Sequence, residues 1–207
     1  LDAGCGSGGF SFLTAKSGGE VLGISFDSEN NLKAIERAKI FGLNNTKFIT
    51  ENLNNLPNIE NEIGKFDQII CFETIEHILN DSGLIASFSR ILNDKGILLL
   101  TAPYKFYRHL YGDDQTGLSI VEDGGHVRFG YTHEELNSIC KKFGLGLVKR
   151  EYVTGFFSQT LINITRFLSS FVPNLGWLMT FPLRPLVLLD PLIFRLFKYS
   201  HLSVAIV

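Results

Sequence analysis

Hydrophobic positions in the first half of the chain come as short apolar runs alternating with helical patterns, the rhythm of parallel βαβ units. The chain opens on LDAG, read as the last residues of a first strand whose earlier part is expected upstream. EVLGISF predicts a second strand, and NNLKAIERAKIFGL an amphipathic helix that stops near Gly42. TKFIT and FDQIICF predict two more strands, GLIASFSRILN a helix closed by Asp94 to Gly96, and ILLLTAP a fifth strand stopped by Pro103. Thr132 and Glu135 form a Thr-x-x-Glu capping box, so a helix is expected from there to Gly144. LGLVKREYV and HLSVAIV predict strands six and seven.

Two stretches break this rhythm. Residues 104–131 lack a period and are rich in Tyr, Gly, Asp and His, which predicts a lid or substrate loop. Residues 156–198 are dominated by apolar side chains, with Arg166, Arg184, Asp190, Arg195 and Lys198 as the charged exceptions. Pro182, Pro185 and Pro191, with Arg184 and Asp190, interrupt each apolar run, which argues against a transmembrane span. Phe157, Leu161, Ile164, Leu168 and Phe171 share one face of a predicted helix. This insertion either rests on a membrane or lines an apolar substrate tunnel, or else it covers the sheet edge or a dimer interface.

Length changes the picture little: 207 residues suit one α/β domain, 1–207, carrying these two insertions. A net charge of -2 gives no global attraction for nucleic acid. Cys5, Cys71 and Cys140 show no paired spacing, which fits buried reduced thiols in a cytoplasmic protein. No histidine, cysteine or acid run has the spacing of a metal site, so none is expected.

The chemistry starts at LDAGCGSGGF. Gly4, Gly6 and Gly9 satisfy GxGxxG, so a nicotinamide-dependent oxidoreductase is one reading. Asp2 stands where a carboxylate suits a ligand ammonium better than a pyrophosphate, which favours an amino-acid-bearing cofactor.

With the later segments added, the chain resembles the class I S-adenosylmethionine-dependent methyltransferases, in the broad group described as the type 11 family. LDAGCGSGGF, ENLNNLP, FDQIICFETIEHI and RILNDKGILLLTAP resemble four of its motifs in order, and the likeness covers almost everything outside 104–131 and 156–198. The resemblance implies a Rossmann-like, seven-stranded, mostly parallel sheet flanked by helices, with the hydrophobic insertion before the last strand. It implies S-adenosylmethionine as cofactor. Asp2 would bond the cofactor's amino group, the backbone at Ala3, Gly4 and Gly6 would line its methionine part, and Phe72 would close its other side.

Two positions depart from the family. The acid that holds the ribose hydroxyls is replaced by Ser25, beside the cofactor contact Phe26, with Asp27 or Asn30 to take over; the acid for the adenine amino group is replaced by Asn52, next to Leu53. For the acceptor side the sequence offers His126 and Tyr104 as catalytic candidates, and His77 and Arg128 as substrate contacts. The expected function is methyl transfer, to oxygen, on a small or lipid-linked acceptor, in the cytoplasm or at the inner face of a membrane. A non-catalytic cofactor-binding module is the remaining alternative.

Overall fold

The computed structural model describes residues 1–107, 117–197, 199 and 201–207. Seven strands form one sheet in the order β3-β2-β1-β4-β5-β7-β6. They are β1 (Asp2–Ala3), β2 (Val21–Ser25), β3 (Thr46–Thr50), β4 (Phe66–Phe72), β5 (Leu92–Pro103), β6 (Arg150–Val153) and β7 (Ser203–Ile206). The first five pair in parallel, and β7 runs antiparallel between β5 and β6. The mostly parallel, seven-stranded fold expected from the sequence is therefore the one observed.

The helices are α1 (Gly9–Lys16), α2 (Ser28–Ile40), α3 (Leu56–Ile63), α4 (Asp81–Ile91) and α5 (His133–Lys142), followed in the insertion by α6 (Phe156–Phe171), α7 (Leu175–Thr180) and α8 (Asp190–Phe197). The apolar stripes of α3, α4 and α5 supply Leu56, Ile85, Phe88 and Leu136 to a core shared with Ile24, Ile69 and Leu100 of the sheet. Phe12, Ala34 and Ala38 of α1 and α2 make a second cluster with Phe48. The Thr132–Glu135 capping box is present in full. All three cysteines are buried and free.

Strand order reverses between β1 and β4, and such a switch point leaves a crevice at the carboxyl ends of the strands. The same edge carries the root of the insertion. Val153 at the end of β6 pairs with Ser203 at the start of β7, and Ser203 also faces Pro103 at the end of β5.

The insertion departs from expectation in two respects. Of the predicted α6 face only Leu161 is buried, because α6 packs on α7 and α8 rather than on the main core. Leu175–Phe197 is, among the described residues, a helical run long and apolar enough to cross a membrane, with a mean hydropathy of 1.4. Its prolines do not shorten that run. Instead they divide it into α7, a 3-10 stretch at Phe181–Leu189 with Pro185 inside, and α8. Within residues 104–131, the described positions 104–107 and 117–131 hold no helix and a single bridge, Tyr104 to Tyr131; positions 108–116 lie outside the described residues.

Candidate active site

A cavity of about 240 Å³ occupies the crevice at the switch point. Gly4 and Gly6 form its floor. Gly4 has φ +84, and a Cβ there would sit 2.2 Å from Thr74 Oγ1, so only glycine fits. Space over Gly6 is open, which leaves backbone exposed to a ligand.

Of the residues expected to bind the cofactor, Gly4, Gly6, Ser25, Phe26, Asp27, Asn30, Asn52 and Leu53 do line this cavity. Asp2, Ala3 and Phe72 do not. The Asp2 carboxylate is buried and accepts a 2.6 Å hydrogen bond from Ser11 Oγ on α1, and burial raises its pKa. Ala3 is fully buried, and Phe72 packs its ring edge-on against Phe10, with centroids 4.7 Å apart.

The polar groups proposed for the nucleoside are already engaged. Asp27 caps α2, its carboxylate accepting from Glu29 N at 2.9 Å, Asn30 N at 3.2 Å and Asn30 Nδ2 at 2.6 Å. Ser25 Oγ accepts from Asp27 N at 3.3 Å, and Asn52 Oδ1 accepts from Asn54 N at 2.9 Å. Two loop residues that the sequence did not single out roof the cavity. Glu122 and Gly124, from the loop, close the cavity, with Glu122 accepting from Leu79 N at 2.6 Å and from Asn54 Nδ2. With this roof in place the space of about 240 Å³ is smaller than the about 300–1,000 Å³ usual for ligand pockets. Even so, an open glycine cradle at the switch point, with hydroxyl and amide acceptors at its far end, fits an amino-acid nucleoside.

On the side where the sequence expects the acceptor, the structure joins Glu76, His77 and His126. Their ligand atoms lie within 4.8 Å of one another, close enough to hold a metal ion, a grouping the sequence spacing did not reveal. His77 Nδ1 donates to Gly125 O at 3.0 Å, and its ring meets that of His126 at 4.7 Å between centroids. Glu76 is 1% exposed, with Oε2 lacking a hydrogen-bond partner. Burial, then the charge of Glu73, pushes its carboxyl up to about 8. Glu73 itself sits at a positive φ of 47 and accepts from Ser203 Oγ at 3.1 Å; the protein around its carboxyl raises its pKa too, although the residue keeps an exposed surface.

Two expected acceptor-side residues are placed otherwise. Arg128 is a loop staple: its guanidinium donates to Asp81, to Tyr131 Oη at 2.5 Å, to Ile78 O at 2.7 Å and to Leu79 O at 3.0 Å, leaving it committed to α4. Tyr104 stands one strand away from the cavity, its ring edge-on to Phe106 and Tyr152. Tyr152 in turn contacts Phe194 of α8 at 5.9 Å, which links the site's edge to the insertion.

Comparison with known proteins gives this geometry a lineage. A family model described as a methyltransferase domain matches residues 1–141. The ubiquinone biosynthesis O-methyltransferase of Pasteurella multocida is 35% identical over 107 residues, 49% of this chain and 44% of that one. The chain spans about half the length of the curated relatives it matches. Among solved structures, the [4+2]-cyclase SpnF superposes with a TM-score of 0.66 at 19% identity, covering 100% of this chain and 72% of that one. An S-adenosylmethionine-dependent methyltransferase from Clostridium acetobutylicum gives 0.59 at 18% identity, covering 74% and 75%. The chain belongs to the methyltransferase domain family and has the class I fold of S-adenosylmethionine-dependent methyltransferases.

Proposed function

We propose that this chain transfers a methyl group from S-adenosylmethionine to an oxygen of a small or lipid-linked acceptor, at the cytoplasmic face of a membrane. One observation carries the reading: the glycine-floored cavity opens directly beside His77 and the Glu76–His77–His126 group. The family match supports the cofactor, and the printed names of curated relatives support oxygen as the acceptor. A lipid-linked acceptor suits the apolar insertion rooted at the same edge.

The bound cofactor would supply a sulfonium methyl already activated by its leaving group. The chain then has to orient the acceptor and take its proton. His126, exposed on the loop, is the base in this reading. His77, fixed by the Gly125 carbonyl, orients it edge-on. Glu76 is mostly uncharged near neutrality, so it does not oppose an oxyanion forming nearby.

The test is calorimetric titration with S-adenosylhomocysteine and NADH, followed by labelled methyl transfer to phenolic and lipid-linked acceptors. Heat with the former alone is expected, and His126→Ala should lower turnover by about 10²–10⁴ with S-adenosylhomocysteine affinity unchanged. Binding of NADH in place of S-adenosylhomocysteine would overturn the assignment. The engagement of Asp27 and Asn52 in helix caps favours one second reading, a cofactor-binding module without turnover. Binding with no transfer to any acceptor would select it.

A further inference from the structure

The charge on the insertion is segregated. Its one acid, Asp190, is 6% exposed and spends both carboxylate oxygens on the start of α6. Arg166, Arg184 and Arg195 are all exposed, and none has a carboxylate partner among the described residues. The surface that the insertion shows to its surroundings is therefore cationic and apolar. Phe171 is 68% exposed, Leu188 82% and Phe197 71%.

Arg166 and Arg184 line the same groove, a cavity of about 1080 Å³ between α6 and the 3-10 stretch, walled by Leu161, Ile162, Phe181 and Leu188. Arg184 also lies over the ring of Trp177, 5.1 Å from its centroid, and Trp177 is half exposed. An aromatic ring under a guanidinium, at the border of apolar and charged surface, is the arrangement that sits at headgroup depth in a bilayer.

We infer that this face of the insertion docks on an anionic lipid bilayer, with the arginines at phosphate level and the apolar side chains below them. The inference rests on the methyltransferase reading above for its meaning, since docking would bring the active-site edge to a lipid-linked acceptor. Charge complementarity selects the occupant. A second copy of this chain on the same face would set arginine against arginine, whereas anionic headgroups neutralise them. The geometry also sets the insertion in the plane of the surface. Asp190, inside the apolar run at the start of α8, ties that run back to the start of α6, and a crossing helix would carry Arg184 into the hydrocarbon.

Trp177 is the chain's one tryptophan, so it reports on this surface alone. The experiment uses the whole chain with phosphatidylcholine vesicles, with and without phosphatidylglycerol, read by co-sedimentation and by Trp177 emission. Expected are a blue shift and binding on the anionic vesicles, weak binding on neutral ones, and release at high salt. Each arginine neutralised should weaken binding about fivefold, and R166Q/R184Q/R195Q together on the order of a hundredfold. Equal binding to both vesicle types, or an unmoved Trp177, overturns the inference. So does a blue shift that follows protein concentration without vesicles, which would mean self-association. Resistance to both high salt and alkaline carbonate would mean a spanning helix and overturns it as well. S-adenosylhomocysteine titration of the same samples separates the two ideas. Retained cofactor binding without vesicle binding removes the membrane inference alone, and lost cofactor binding in the unmodified chain removes the methyltransferase reading.

Discussion

Replacing Asp190 by alanine should unfasten the insertion while leaving the sheet intact. The α6 helix begins after Gly155, which has no side chain to cap it, so the cap comes from α8 across the fold. Asp190 accepts from Phe157 N at 2.7 Å, Ser158 N at 3.2 Å and Ser158 Oγ at 2.5 Å. Loss of a capping side chain costs about 0.5–2 kcal/mol, and hydrogen bonds to a charged group contribute about 1.5–3 kcal/mol each. Because the three share one carboxylate they do not add in full, and about 3 kcal/mol is the expected loss. Asn at this position keeps one acceptor oxygen and should lose about half as much. The two apolar core clusters contain no residue from 156–198, so the effect should stay local. Urea unfolding followed by Trp177 fluorescence reads the insertion, and far-UV circular dichroism reads the whole fold. With a slope of about 2 kcal/mol/M, the Trp177 midpoint of D190A should fall by about 1.5 M, with the main dichroism transition unchanged. An unmoved Trp177 midpoint would refute the capping argument, and a shared shift of both transitions would refute its locality.

Glu76 sets a pH dependence. Its folded pKa of about 8 lies above the ordinary 4.5, so the stability it contributes is present in full below pH 4.5 and is lost as pH rises through about 8. The difference is worth at most about 5 kcal/mol at about 1.4 kcal/mol per pH unit, and Glu76→Gln in metal-free buffer should flatten urea midpoints compared at about pH 5 and about pH 9. A Gln variant that keeps the unmodified protein's slope would show that another group carries it. Arg128→Ala removes the staple between the loop and α4, so limited proteolysis should speed up within 117–131 while the thermal midpoint moves little. Cleavage at an unchanged rate would mean that Glu122 and the Val127 N to Glu76 O bond of 3.0 Å hold the loop without it.

What the sequence made legible follows the range of the forces involved. Strand alternation and the capping box of α5 are local signals, and the elements they predict are present, although β6 forms only at Arg150–Val153 of the expected 145–153 and β5 starts at Leu92, before the Asp94 to Gly96 stop expected to precede it. The α3 helix was hidden because its first turn contains Pro57 after a run of asparagines, which reads as loop although proline is well placed at a helix start. The glycines of the cavity floor and the Ser25, Asp27, Asn30 and Asn52 lining opposite them were legible through the resemblance. Asp27, read as a ribose contact with the helix starting at Asn30, also caps α2 two residues earlier than expected, a role its place just before Ser28 and Glu29 signals locally. By contrast, Arg128 meets Asp81 from 47 residues away and Glu76 meets His126 only when the loop folds over, so neither contact leaves a mark in local spacing. The insertion obeys its helical period, yet the face it predicts stays largely open because no core lies opposite it.

The pairing of Val153 with Ser203 has a consequence for how such a protein can change. The strands β6 and β7 are adjacent and antiparallel, so residues 154–202 are formally the loop of a single β-hairpin. Closing a hairpin of that length in place of one of about four residues costs only about 2 kcal/mol in chain entropy, because the cost grows with the logarithm of length. The sheet is thus nearly indifferent to what the hairpin carries. A cassette at this position can be lengthened, exchanged or trimmed to a tight turn without asking the sheet to refold, which makes the surface beside the cavity free to evolve on its own schedule.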